Sequence, residues 1–224
     1  MRALDLLLPE RCLVCAFPGT SVCSSCAADL RRLGPPLCER CGAPTAIPVR
    51  RCRECEGRRL AFASARAAVA YDPAVKRIVR GWKEGGLRRL AHFAAELVAE
   101  VVERPSVSAL TPVPADRERL LRRGHQPAAA LAEALGRLWE LPVVGLLGRP
   151  RSGPRQRGLS LPERRRNVRG SFVARTPAPR RLALVDDVYT SGATAAAAAS
   201  ALRRAGAREV HVVAFARAVR RAGR

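Results

Sequence analysis

The sequence predicts an α/β protein in which a mainly parallel sheet is covered by helices and preceded by a small cysteine-rich module. Three features carry the prediction. All eight cysteines lie within the first 55 residues. From about residue 60 onward, strand-like and helix-like segments alternate. One apolar run, Leu182 to Val185, leads directly into two acids and a small-residue turn, as a buried strand does when it delivers a binding loop.

The cysteines form four C-x-x-C pairs: Cys12/Cys15, Cys23/Cys26, Cys38/Cys41 and Cys52/Cys55. Such a turn brings two sulfurs within reach of one tetrahedral ion, and two turns complete a closed four-sulfur site. The spacing therefore predicts two structural zinc ions, with disulfides or an iron–sulfur cluster as the alternatives. Sequential pairing is the simplest arrangement, one ion on Cys12, Cys15, Cys23 and Cys26 and the other on Cys38, Cys41, Cys52 and Cys55; a crossed one fits the spacing too. With few large apolar side chains in about 55 residues, metal binding must supply most of the module's folding free energy. Its arginines (Arg31, Arg32, Arg50, Arg51, Arg53) suit docking of a partner or nucleic acid, and a structural cap on the following domain fits as well.

The remaining elements follow in order. Residues 62–72 read as a strand, and residues 73–82 and 87–103 carry apolar positions at helical spacing. Residues 107–114 form a strand that Pro112 and Pro114 must end. Residues 125–140 are a helix, residues 141–147 (LPVVGLL) a strand, and residues 149–169 a loop with eight arginines. Strand 181–186, helix 194–205 and strand 209–215 close the sequence. The expected division is residues 1–60 for the cysteine module and 61–224 for the α/β domain.

The formal charge is +22, which predicts attraction to polyanions. Only Lys76 and Lys83 are lysines, a bias that explains arginine in place of lysine but not the excess of bases over acids. Two zinc ions on eight thiolates leave about +18, still strongly basic. No run approaches the roughly 18 apolar residues that span a bilayer. The opening MRALDLLLPE is short for a secretory signal and is broken by Asp5 and Pro9, so a cytoplasmic protein without membrane insertion is expected.

The stretch LALVDDVYTSGAT places Asp186 and Asp187 at a strand exit, ahead of a turn from Tyr189 to Thr194 that opens a helix. Free amides and the positive dipole end there favour an anion, with hydroxyls from Thr190, Ser191 and Thr194, and Gly192 admits close backbone approach. Two carboxylates would repel a phosphate, so they suit ribose hydroxyls, a magnesium ion, or both. The plainer reading is a hydroxyl cap on the helix with solvated aspartates. No Walker A motif is present.

This stretch resembles the PRPP loop of type I phosphoribosyltransferases, in which paired acids hold the ribose hydroxyls and the turn holds the 5′-phosphate. The segments TPVPADRERLLRRGHQPAAALAEAL and QRGLSLPERRRNVRGSF, together with the cysteine pairs, extend the likeness along nearly the whole chain. In that order they resemble the ComF family, linked to competence and DNA uptake. The resemblance implies a type I phosphoribosyltransferase-like sheet behind a double zinc ribbon, with PRPP and Mg²⁺ at Asp186, Asp187, Thr190, Ser191, Gly192, Ala193 and Thr194. It also implies pyrophosphate or loop contacts from Lys83, Pro114, Arg117, Gln156, Arg164 and Asn167, the last three on a loop that closes over ligand. Where many members have R-G-F-N-Q, this chain has Arg123, Gly124, His125, Gln126 and Pro127, a departure at that loop.

Single-stranded DNA is the expected macromolecular partner, with competence-machinery proteins as further candidates. The function implied is PRPP and single-stranded DNA binding in DNA uptake and natural transformation. The alternative is an active transferase that moves ribose 5-phosphate to a nucleobase or amine; no segment specifies that acceptor. His92 and His211 read as surface and packing residues, and His125 lies beside the proposed ligand loop.

Overall fold

The computed structural model describes residues 10–149 and 171–219. Its centre is a four-stranded sheet in the order β1-β6-β5-β2, formed by β1 (Ser64–Ala70), β2 (Leu110–Pro112), β5 (Arg181–Tyr189) and β6 (Glu209–Arg217). Every pairing in it is parallel. A separate antiparallel pair joins β3 (Leu147–Gly148) to β4 (Val173–Ala174). This is the expected parallel α/β architecture behind a cysteine module.

Local chemistry accounts for the helices. In α2 (Pro73–Glu84), which follows the short α1 (Ser24–Ala28), the Asp72 carboxylate accepts from the Val75 amide at 2.9 Å, and Pro73 occupies the first turn. Its buried residues Val75, Ile78, Val79 and Trp82 fall on one stripe. Helices α3 (Leu90–Val101) and α5 (Pro127–Trp139) pack with it on one face of the sheet, where Trp82 meets Phe215 edge to face at 6.3 Å. The opposite face carries α6 (Ala193–Arg204), whose Ala198 and Leu202 meet Leu182 and Leu184 in a core shared with Cys38, Cys41 and Cys55. The sheet is buried on both faces, so its strands read as continuous apolar runs.

The cysteine module also closes the sheet edge. The Leu33 amide donates to the Ala68 carbonyl and the Ala70 amide to the Arg31 carbonyl, both at 2.9 Å, so the chain lies along β1 as an antiparallel extension. Nearby, a Cβ on Gly42 would stand 2.2 Å from the Ala65 carbonyl oxygen, so only glycine permits this approach.

Three expectations need correction. Residues 141–147 are not one strand: Val143 makes a single bridge to Leu110, and regular pairing is confined to Leu147–Gly148. Pro142 has no amide to donate and Gly145 no side chain to pack. The strand expected at 181–186 extends to Tyr189, because Val188 and Tyr189 remain paired with Ala216 and Arg217. An unexpected helix, α4 (Arg117–Arg123), follows the turn after β2; Asp116 caps it by accepting from the Arg119 amide, and Gly124 ends it in the left-handed conformation.

Candidate ligand cleft and cysteine centres

Because the strands are parallel, their carboxyl ends converge on one side, where α/β sheets bind ligands. Asp186 and Asp187 lie there on β5, beside the chain leaving β2, whose Val113 amide donates to the Val185 carbonyl at 2.8 Å. A cleft of about 170 Å³ opens over them. Lys83, in the last turn of α2, reaches Asp187 with its Nζ 2.6 Å from Oδ1, and both side chains are mostly sheltered from solvent.

The two acids differ in environment. Asp187 is buried and paired with the lysine. Asp186 is pushed up to about 7, first by burial and then by the neighbouring Asp187 charge, with Lys83 working in the opposite direction. Once Asp186 loses its proton, two carboxylates outnumber the one ammonium on the floor, while cationic side chains line the wall.

Of the residues expected at the site, Asp186, Asp187, Lys83, Pro114 and Thr194 line this cleft. Thr190, Ser191, Gly192 and Ala193 form the adjoining turn into α6, with Thr190 and Ser191 exposed. The N-cap position is Gly192, at φ 72°, and the Ser191 hydroxyl accepts from the Ala193 amide of the first turn at 3.4 Å. Arg117 is exposed at the start of α4 and is not among the lining residues. Gln156, Arg164 and Asn167, like most of the arginine-rich loop, lie outside the described residues.

Ten lining residues were missed, four of which bring side-chain N–H donors. Arg119 and Arg123 come from α4, a helix that was not expected, and Gln126 from the segment that departs from R-G-F-N-Q. The fourth, Arg149, donates from Nε to the Pro114 carbonyl at 2.8 Å and stacks on Phe172 at 4.4 Å.

The histidines divide as expected for His92, which is exposed, and His211, whose Nδ1 lies 2.9 Å from the Ser64 hydroxyl. His125 has a structural place: its ring nitrogens lie 2.9 Å from the Arg123 carbonyl and 2.7 Å from the Trp82 carbonyl. It thereby joins the end of α4 to the turn of α2 that bears Lys83.

The cysteines gather as two sequential groups, Cys12, Cys15, Cys23 and Cys26, and Cys38, Cys41, Cys52 and Cys55, with the sulfurs of each group within 4.8 Å of one another. Cys15–Cys23, Cys38–Cys55 and Cys41–Cys52 sulfurs are 3.7, 3.6 and 3.5 Å apart. A disulfide needs about 2.05 Å. Tetrahedral bonds of about 2.3 Å to zinc put sulfurs about 3.8 Å apart, so the donor set fits that ion. Burial raises the Cys12 and Cys38 thiols, but amides donating to them outweigh it and bring them down to about 6 and about 7, whereas Cys26, beside Cys23, and the buried Cys41 and Cys55 are pushed up.

Fold and site together define a class: a parallel α/β domain with paired acids near the carboxyl end of a central strand, joined to two four-cysteine groups. Comparison with known proteins agrees. Residues 3–56 match the model of the double zinc ribbon domain. The DNA utilization protein YhgH of Salmonella typhimurium is 30% identical, over 92% of this chain and 96% of its own length. Competence protein F of Haemophilus influenzae is 28% identical over 93% and 97%, and competence protein ComFC of Bacillus subtilis 27% over 92% and 83%. The chain belongs to this ComF/YhgH family. Among solved structures, glutamine PRPP amidotransferase of B. subtilis overlaps 57% of this chain and 26% of its own, at 23% identity and a TM-score of 0.38. No helix among the described residues is long and apolar enough to cross a membrane.

Proposed function

We propose that this protein binds PRPP with Mg²⁺ in the cleft and handles single-stranded DNA during DNA uptake and natural transformation, in the cytoplasm. One observation carries the ligand reading: a carboxylate pair, Asp186 and Asp187, forms the floor of a cleft whose rim is basic. Acids alone would suit a cation and bases alone a phosphate; a phosphorylated sugar needs both. In this reading the acids accept from the ribose hydroxyls, and the turn Thr190–Thr194 receives the 5′-phosphate with its backbone amides. Lys83, Arg119, Arg123 and Arg149 face the pyrophosphate, for which a guanidinium fork is suited.

Each residue then has a defined task. Lys83 pairs with Asp187 and holds its carboxylate in place. Hydroxyl donors reaching Asp186 favour its charged form, so binding drives a proton off that carboxyl. Mg²⁺, arriving with PRPP, neutralises pyrophosphate charge. The DNA reading rests on the formal charge of +22 and on the names of the relatives, which are a competence protein and a DNA utilization protein. The proposed division remains residues 1–60 for the double zinc ribbon and 61–224 for the domain that holds the cleft.

Calorimetry with PRPP and Mg²⁺ tests the ligand reading, comparing the natural protein with Asp186→Asn/Asp187→Asn. Loss of binding in the variant is expected, and equal affinity would remove the reading. Single-stranded DNA binding across a salt series tests the second role: a phosphate-dominated interface weakens steeply with salt. No binding at low salt would remove it.

A further inference from the structure

We propose that Arg217 and Arg58 are positioning residues through which the second four-cysteine group sets the shape of the Thr190–Thr194 turn. The inference rests on the PRPP reading, in which that turn receives a phosphate. Arg217 ends β6 and is 2% exposed, although it carries a full charge. Burying a guanidinium costs heavily unless it is paired and hydrogen-bonded. Its terminal nitrogens reach into the cysteine module. One nitrogen donates to the Cys41 carbonyl at 2.6 Å, and the other pairs with Glu54 at 2.7 Å and reaches the Cys41 sulfur at 3.7 Å.

The same guanidinium lies 4.8 Å from the centre of the Tyr189 ring. Tyr189 in turn supports the turn from below. A Cβ on Gly192 would stand 2.3 Å from the tyrosine hydroxyl, so the ring dictates where that backbone can run. A second link bypasses the ring: Arg58, three residues beyond Cys55, donates to the Ser191 carbonyl at 2.6 Å. Two independent contacts thus run from the second cysteine group to one turn.

The first group makes no such link among these contacts. Leu13, Val14 and Val22 beside it pack against the opposite core, and Glu10 pairs with Arg89. An ion held by Cys38, Cys41, Cys52 and Cys55 would fix the backbone that presents Cys41, Glu54 and Arg58, and through them the amides of the turn.

The experiment measures affinity for ribose 5-phosphate and, separately, for magnesium pyrophosphate, in the natural full chain, Arg58→Ala, Arg217→Met and Arg217→Lys, with metal content determined in each. Arg58→Ala keeps a testable case if Arg217→Met fails to fold. We expect Arg58→Ala and Arg217→Met to bind ribose 5-phosphate about tenfold more weakly, the scale of one lost hydrogen bond to a charged group. Magnesium pyrophosphate, which does not need the turn, should bind unchanged, and Arg217→Lys should recover part of the loss. Unchanged ribose 5-phosphate binding in both Arg58→Ala and Arg217→Met overturns the proposal; so does an equal loss for both probes, which marks general destabilisation. Asp186→Asn/Asp187→Asn separates the two readings. If it binds ribose 5-phosphate normally, the PRPP reading fails; if it alone loses binding, only the coupling fails.

Discussion

The Nζ of Lys83 stands 2.6 Å from Oδ1 of Asp187, tying the last turn of α2 to the middle of the ligand cleft. The pair lets two neighbouring acids share a sheltered floor, since one carboxylate is compensated and the other, Asp186, is pushed up to about 7. The cleft is therefore built to change its charge when something binds.

Replacing Lys83 with Met leaves Asp187 sheltered without its cation. A loss of about 1–3 kcal/mol in urea unfolding is expected, the cost of an unsatisfied buried group. Adding Asp187→Asn to Lys83→Met should recover much of it, because both halves of the pair are then gone.

Asp186 makes stability depend on pH. Its folded value, about 7, lies above the 3.8 of a free aspartate, so between those limits the folded protein holds more proton than the unfolded chain. Stability therefore falls as pH rises from about 4 to about 7 and levels off above that, as linkage requires. Asp186→Asn removes this slope. The melting temperature of the variant relative to the natural protein should climb between pH 5 and pH 8; a constant difference would contradict the assignment.

Gly192 sits at φ 72° against the Tyr189 ring. Gly192→Ala incurs the left-handed penalty of about 1–2 kcal/mol, before the ring has to move. Denaturant unfolding measures that loss.

Metal removal should separate the cysteine module from its docking surface. Cys38, Cys41 and Cys55 share a core with Phe62 and Leu182, so a chelator should lower the melting temperature of the whole chain and not only of a peripheral segment. Cobalt replacing zinc should give the absorption of tetrahedral thiolate ligation, read by visible spectroscopy.

Much of this was legible in the sequence because it rests on spacing. C-x-x-C pairs are local, so the four pairs were legible, whereas the choice of sequential over crossed grouping depends on the fold. The stripe from Val75 to Trp82 repeats with the period of a helix, and the run from Leu182 to Val185 is the unbroken apolar stretch of a strand buried on both faces. What escaped depends on long-range placement. Arginine dominates the basic residues, so nothing in its sequence context marks Arg217 as buried, and only the fold brings it to Cys41 and Glu54. Helix α4 escaped because its seven residues, four of them arginines, hold too few apolar positions to show a helical stripe, whereas Asp116 and Gly124 cap it at both ends. In LPVVGLL the apolar content suggested a strand that Pro142 and Gly145 prevent.

The central claim is that a phosphorylated sugar binds across Asp186, Asp187 and the turn that follows. Hydrogen–deuterium exchange of the backbone amides, with and without PRPP and Mg²⁺, tests it most directly. The account predicts that Thr190 to Thr194 gain protection on adding ligand and that Asp186→Asn/Asp187→Asn abolishes the gain. Binding that leaves those amides unchanged, with protection appearing only elsewhere in the chain, would contradict it.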